Sequence, residues 1–197
     1  MVERLNVETR AFHPDAETDF DLLFEAETSP AQYLVFLMRA YGFEAPLEAT
    51  LATTPNLDLM IDLQQRFKAG FIAKDLMALG IRAQDVAELP QCLTIPQFRG
   101  AAEAMGWMYV IERTTLAHSV VHRHLLTRLP REMRHASDYL TCYAGAVGAR
   151  WRDFGMTLDD VGRIPAIAER IVSAACDAFR CQRRWIRQDV SDTRIAI

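Results

Sequence analysis

Residues 101–129, AAEAMGWMYVIERTTLAHSVVHRHLLTRL, run without a proline until Pro130 closes them. Within them Ala101, Ala104, Met105, Met108, Ile111, Leu116, Val120 and Val121 recur at the period of a helix rather than in the alternation of a strand. The spacing predicts one long central helix around which the rest of the chain must pack. Its middle departs from a plain core face, because Glu112, Arg113, Thr114, Thr115 and His118 interrupt it. Polar side chains at such positions must be paired, hydrated or turned towards a ligand.

Whether the surroundings can bury such a helix depends on size and composition. The chain has 197 residues, half of them hydrophobic and 24% charged, enough for one filled core and a single domain over residues 1–197. A net charge of -4 with scattered basic residues gives no electrostatic footprint for nucleic acid. The start, MVERLNVETRAF, lacks the pattern of a signal peptide, and no apolar run is long enough to span a bilayer. A cytoplasmic location and no membrane insertion are the expectations. Cys92, Cys142, Cys176 and Cys181 include no CxxC pair, so they read as reduced thiols acting as small hydrophobes.

Glycines and prolines fall mostly where helices should begin or end, and no β-branched alternation appears, which predicts an all-α fold. Residues 6–12 form a short amphipathic segment, and Pro14, followed by Asp15 and Glu17, suits a helix start or a kink. Ser29-Pro30 caps a second helix with Tyr33, Phe36, Leu37 and Ala40 inward, expected to end near Gly42. Pro46 should open another short helical segment, and Asn56 a longer one through Leu63, Phe67, Phe71 and Leu76 to Gly80. Helical patterning resumes over 131–143 and continues through AGAVGARWRDFGM to a break at about 157–165. Gly145 and Gly148 there suggest a bend or close packing. The last helix spans about 165–187, with Ile167, Ile171, Ala174, Ala175, Ala178 and Phe179 inward, and the tail from about 189 is expected to fray.

His118 and His122 share a helix face at a spacing that can bind a metal, with His124 turned away, but no third ligand is evident. A packed, hydrogen-bonded His118 is the plainer reading. Glu112 beside Arg113 reads either as a catalytic acid with its partner or as a structural pair. No phosphate loop, nucleophile elbow or dinucleotide fingerprint occurs.

Several segments in order resemble the heme oxygenase family, particularly its bacterial biliverdin-producing, phytochrome-associated type. TRAFHPDAE is similar to the family's Thr-Arg/Lys-x-x-His segment, and RFKAGFIAKDLMALG to its pattern ending Asp-Leu-x-x-Leu-Gly. AAEAMGWMYVIERTTLAH resembles the distal segment Gly-x-x-Tyr-Val-x-Glu-Gly-Ser-x-Leu-Gly-Gly, and YAGAVGARWRDF a later helix with Tyr, Gly, Trp and Phe landmarks. The resemblance implies a heme-oxygenase-like helical bundle that holds heme, both substrate and cofactor, between a proximal and a distal helix. The implied products are biliverdin, carbon monoxide and ferrous iron. An external electron donor such as a ferredoxin or flavin reductase is implied as partner, with a phytochrome as receiver of biliverdin.

On the same resemblance His13 is the axial iron ligand, Tyr109 belongs to the heme-contacting distal segment, and Arg152, with Arg150 as the second choice, meets a propionate. The distal residues are Arg113, Thr114, Ala117 and His118. Here the chain departs from the family, since Arg113, Ala117 and His118 stand where it has glycines, while Thr114 keeps a hydroxyl at the polar position. Arg113 and Ala117 share a helix face and would fill space that the family leaves open. A second reading follows from this departure: a non-catalytic relative that binds heme or another tetrapyrrole, with His118 as a sixth iron ligand, or a helical protein-interaction module.

Overall fold

The computed structural model describes residues 1–14, 20–25 and 28–187; Asp15, Glu17 and the tail from about 189 lie outside them. The helices are α1 (Val2–Glu8), α2 (Pro30–Ala52), α3 (Ala69–Ala78), α4 (Ala83–Ala87), α5 (Ala101–Arg128), α6 (Asp138–Thr141), α7 (Val147–Val161) and α8 (Pro165–Ile186). Two 3-10 turns, Arg10–Phe12 and Glu132–Arg134, join them, and there is no strand among the described residues. The fold is all-α, as the periodicity predicted.

The central helix α5 belongs to both halves of the core. Its first half packs Met105, Met108 and Tyr109 against Ile171, Ala175 and Phe179 of α8, and its second half packs Val121 and Leu125 with Leu37 and Leu76. Close approach of α5 to α8 depends on Gly106: a Cβ there would meet the Ile171 carbonyl at 2.5 Å and the Ala174 Cβ at 2.7 Å. Leu116 and Val120, which match the apolar period, are exposed instead.

The second helix corrects the expectation that it stops near Gly42 and that Pro46 opens a new one, because both lie inside α2. Its start is as predicted, with Ser29 and Gln32 forming a reciprocal capping box. Gly42 is needed for contact rather than termination, since a Cβ at that position would collide with the Pro90 carbonyl and the Trp185 ring. Pro46 has no N–H for the Gly42 carbonyl one turn back. The Cys92 N–H donates to that carbonyl at 2.8 Å instead, so a loop supplies the bond that proline removes.

Residues 53–68 are turns rather than the predicted helix, and only Ala69–Ala78 of that span is helical. Asn56 takes a left-handed φ of 59°, which asparagine tolerates better than most residues. Phe71, expected in the core stripe, is exposed, whereas Leu63 and Leu76 are buried. The 131–143 pattern resolves into a 3-10 turn and the short α6, and Gly145 supplies the bend with a φ of 75°. Thereafter α7 continues past Thr157 to Val161.

Near the N-terminus the first helix begins at Val2, earlier than the amphipathic segment suggested. His13 has helical angles (φ -60°, ψ -43°), which puts Pro14 in a first helical turn, where its missing N–H is tolerated. Among the described residues, no helix is long and apolar enough to cross a membrane.

Candidate functional site

The polar middle of α5 divides between two environments. Val110, Arg113, Thr114, Leu116 and Ala117 form one wall of a cleft of about 250 Å³, with Phe20 and Phe179 opposite. Arg113 and Ala117 thus occupy one cleft, as their shared helix face implies. His13 adjoins it, its ring centroid 5.7 Å from that of Phe179. The His13 Nε2 lies 3.0 Å from the Thr9 hydroxyl, which itself donates to the Leu5 carbonyl at 2.7 Å. A hydroxyl has one proton to give, so the ring nitrogen donates in this contact.

Tyr109 lies beneath the cleft rather than on its wall. It is fully buried, donates to Asn6 Oδ1 at 2.7 Å and meets Phe179 edge-on at 6.3 Å. Neither Arg150 nor Arg152 lines the cleft. Arg150 donates to the Gln65 carbonyl at 2.9 Å and stacks over Tyr143, while Arg152 is exposed on α7. Arg113 is the arginine on the cleft wall.

On the opposite side of α5 lies a layer of buried charge. Glu112 accepts from Arg66 at 2.8 Å and from the Tyr143 hydroxyl at 3.0 Å. The Lys68 Nζ donates to the Arg66 carbonyl at 3.0 Å and lies 3.5 Å from both Glu44 and Glu112. Tyr139 donates to Glu44 at 2.6 Å, and Glu48 accepts the Ala69 N–H at 3.0 Å, closing the start of α3. Glu112 and Arg113, neighbours in sequence, therefore do not pair: one faces the charged layer and the other the cleft.

His118 belongs to the charged layer. It is 2% exposed and edge-on to Tyr139 at 4.6 Å, with no hydrogen-bond partner for either ring nitrogen among the described residues. It does not line the cleft, and with His122 it forms no metal-ligating group of three among the described residues.

Burial, with the Lys68 ammonium adding to it, pushes the His118 imidazole down to about 3. Below about 6.5 the unfolded chain takes up a proton that the native state refuses, so stability falls with pH by roughly 1.4 kcal/mol per unit. Glu48 acts in the other sense. Burial and then Glu44 push it up to about 7, so its contribution is present below the ordinary carboxylate range and fades as pH rises through 7. His118→Phe leaves Glu48 in place and isolates the histidine. In urea unfolding, the variant should gain about 2 kcal/mol relative to wild type between pH about 7.5 and about 5; equal shifts in the two proteins would mean that native His118 takes up the proton.

Phe20, Arg66, Lys68, Glu44 and Tyr139 could not be recognised from the sequence as parts of these two environments. The four-residue spacing of Glu44 and Glu48 was the one available hint, since it places both carboxylates on one face of α2.

A histidine-bearing segment and a central helix thus border an aromatic cleft in an all-α fold, and clefts between helices are places where ligands commonly bind. A family profile described as heme oxygenase matches residues 1–188, and the chain belongs to the heme oxygenase family. No curated protein matches the sequence. Among solved structures, the chain is similar to the NO- and CO-bound heme oxygenase from Neisseria meningitidis, with a TM-score of 0.77 and 20% identity over 96% of this chain and 92% of that one. That likeness establishes the shared fold.

Proposed function

We propose that this chain binds heme in the cleft between the His13 segment and α5 and opens the ring to biliverdin. The observation that carries the reading is that His13 packs beside Phe179, which lines one cavity together with the Val110–Arg113–Thr114–Ala117 wall. An imidazole, two aromatic rings and a guanidinium form a donor set suited to a flat, apolar, carboxylate-bearing ring with a metal at its centre. The cavity falls just below the roughly 300–1,000 Å³ of ordinary ligand pockets. Admission of a porphyrin therefore requires the cleft to widen, and iron ligation through Nε2 requires His13 to leave Thr9.

When bound, heme supplies the iron that activates oxygen and is itself the ring that is opened, with carbon monoxide and ferrous iron as the other products. His13 would offer a ring nitrogen to the iron, and Phe179 backs its ring. Phe20 and Phe179 exclude water from the apolar face. Arg113 offers its guanidinium to a carboxylate, in the role that the sequence resemblance gave to Arg152 or Arg150. Thr114 borders both this cleft and a smaller cavity of about 30 Å³ that reaches Glu44 and Tyr139, room for about one or two waters. Its hydroxyl donates to the Val110 carbonyl at 3.0 Å and keeps lone pairs to orient such a water. Electrons come from an external donor of the ferredoxin or flavin-reductase kind, and a bacterial phytochrome is the proposed receiver of biliverdin.

Adding hemin and then a reductase system in air tests the reading. Loss of the Soret band with appearance of biliverdin is expected. Tight binding without ring opening, under conditions where another family member reacts, would favour a non-catalytic heme-binding protein. Crowding makes a further prediction: at saturating hemin, Arg113→Gly with Ala117→Gly should raise turnover several-fold, while loss of the Arg113 guanidinium weakens hemin binding. The two glycines cost about 1 kcal/mol each in helix propensity, so circular dichroism must first show the helix retained. Unchanged turnover in a folded variant would mean that these side chains do not limit the reaction.

A further inference from the structure

Away from both the cleft and the charged layer, three segments distant in sequence meet at one seam. The connection between α4 and α5 is held to α2 by the bond from the Cys92 N–H to the Gly42 carbonyl at 2.8 Å. One turn along α8 from Cys181, the Trp185 indole donates to the Arg39 carbonyl of α2 at 2.9 Å. Between these anchors the Sγ atoms of Cys92 and Cys181 stand 3.5 Å apart. The Thr94 hydroxyl touches both sulfurs, at 3.4 Å from Cys92 and 3.2 Å from Cys181. Both cysteines are buried, but their cover is thin, because the adjoining Leu93 and Thr94 are exposed.

We propose that Cys92 and Cys181 form a reversible disulfide, a redox modification site that takes a hydroperoxide as oxidant and fastens the α4–α5 connection to α8. The hydrogen bonds that reach the Cys92 sulfur, from the Cys181 thiol and then Thr94, favour its thiolate and hold its pKa below the ordinary thiol value. The Cys92 thiolate attacks one peroxide oxygen, the O–O bond breaks, and Cys92 becomes a sulfenic acid while the departing hydroxide is protonated to water. Cys181 then attacks the sulfenyl sulfur, the S–O bond breaks and a second water leaves. Two thiols lose two electrons and one peroxide gains them. A dithiol reductant reverses the result.

Nothing in this step depends on heme, so the test uses the heme-free full chain. Hydrogen peroxide is added, thiols are titrated in denaturant, and peptides are mapped by mass spectrometry with and without dithiothreitol. The expected result is loss of two of the four thiols, a Cys92–Cys181 cross-linked peptide lighter by two hydrogens, and full reversal by dithiothreitol. The bond closes a long loop, and the oxidised protein should melt about 5–10 °C higher than the reduced one. Cys181→Ser should strand Cys92 as a sulfenic acid that dimedone traps. If that variant does not fold, the wild-type peptide map decides alone. Four surviving thiols, sulfinic acids at these positions, a bond between two chains or any other pairing would overturn the assignment.

Discussion

Lys68→Met should destabilise the protein by about 3–5 kcal/mol, the usual cost of removing one partner from a buried ionic group. Lys68 is fully buried. Burial pulls its ammonium towards neutrality, but Glu44 and Glu112, with smaller contributions from Tyr143 and Glu48, more than reverse this and hold its pKa above the ordinary lysine value. Methionine fills a similar volume and carries no charge, so packing changes little while Glu44 loses its cation 3.5 Å away. Arg66 still meets Glu112, which confines the damage to the Glu44 side. Adding Glu44→Gln should therefore recover a substantial part of the loss. A double-mutant cycle in urea measures that coupling, and strict additivity of the two substitutions would mean that the charges do not interact.

This layer was hidden in the sequence for a physical reason. Arg66 and Lys68 sit in a polar-looking stretch, and only tertiary neighbours from α2, α5 and α7 reveal them as buried. The apolar spacing from Asn56 onward was partly informative about burial, since Leu63 and Leu76 are in the core while Phe71 is exposed, yet it mistook turns for a helix up to residue 68. Periodicity reports which side chains go inward and leaves the backbone path open when left-handed turns intervene. The reverse error occurred in α2. Gly42 and Pro46 look like punctuation, but the first admits Pro90 and Trp185, and the second is tolerated because Cys92 bonds the carbonyl that it leaves free.

Where length and period agree, the reading was close: α5 ends one residue from its expected limit, and α8 begins at Pro165. The cleft was legible only through the order of short motifs. Nothing in composition distinguishes His13 from an exposed histidine before a proline. Helical spacing does show that Arg113 and Ala117 share a face, and both line the cleft. Spacing alone could not reveal that His118, one residue further on, turns instead towards Tyr139.

For His13, the proposed iron ligand, His13→Ala should weaken hemin binding by about tenfold or more, equivalent to about 1.4 kcal/mol or more, and shift the Soret band. The wild-type contact with Thr9 sets the expected behaviour of a second variant. In that contact Nε2 carries the ring proton, so iron ligation through Nε2 requires the other tautomer and the loss of a 3.0 Å hydrogen bond. Thr9→Val removes the competing hydroxyl and nearly preserves its shape, and should leave hemin affinity unchanged or raise it. The two substitutions thus separate ligation from support of the local fold, because damage to the helix start would weaken binding in both. External imidazole should restore the Soret position of His13→Ala by entering the space that the ring vacated. If His13→Ala binds hemin with unchanged affinity and spectrum, His13 is not the ligand, and the cleft beside Phe179 holds hemin by its aromatic walls and Arg113 alone.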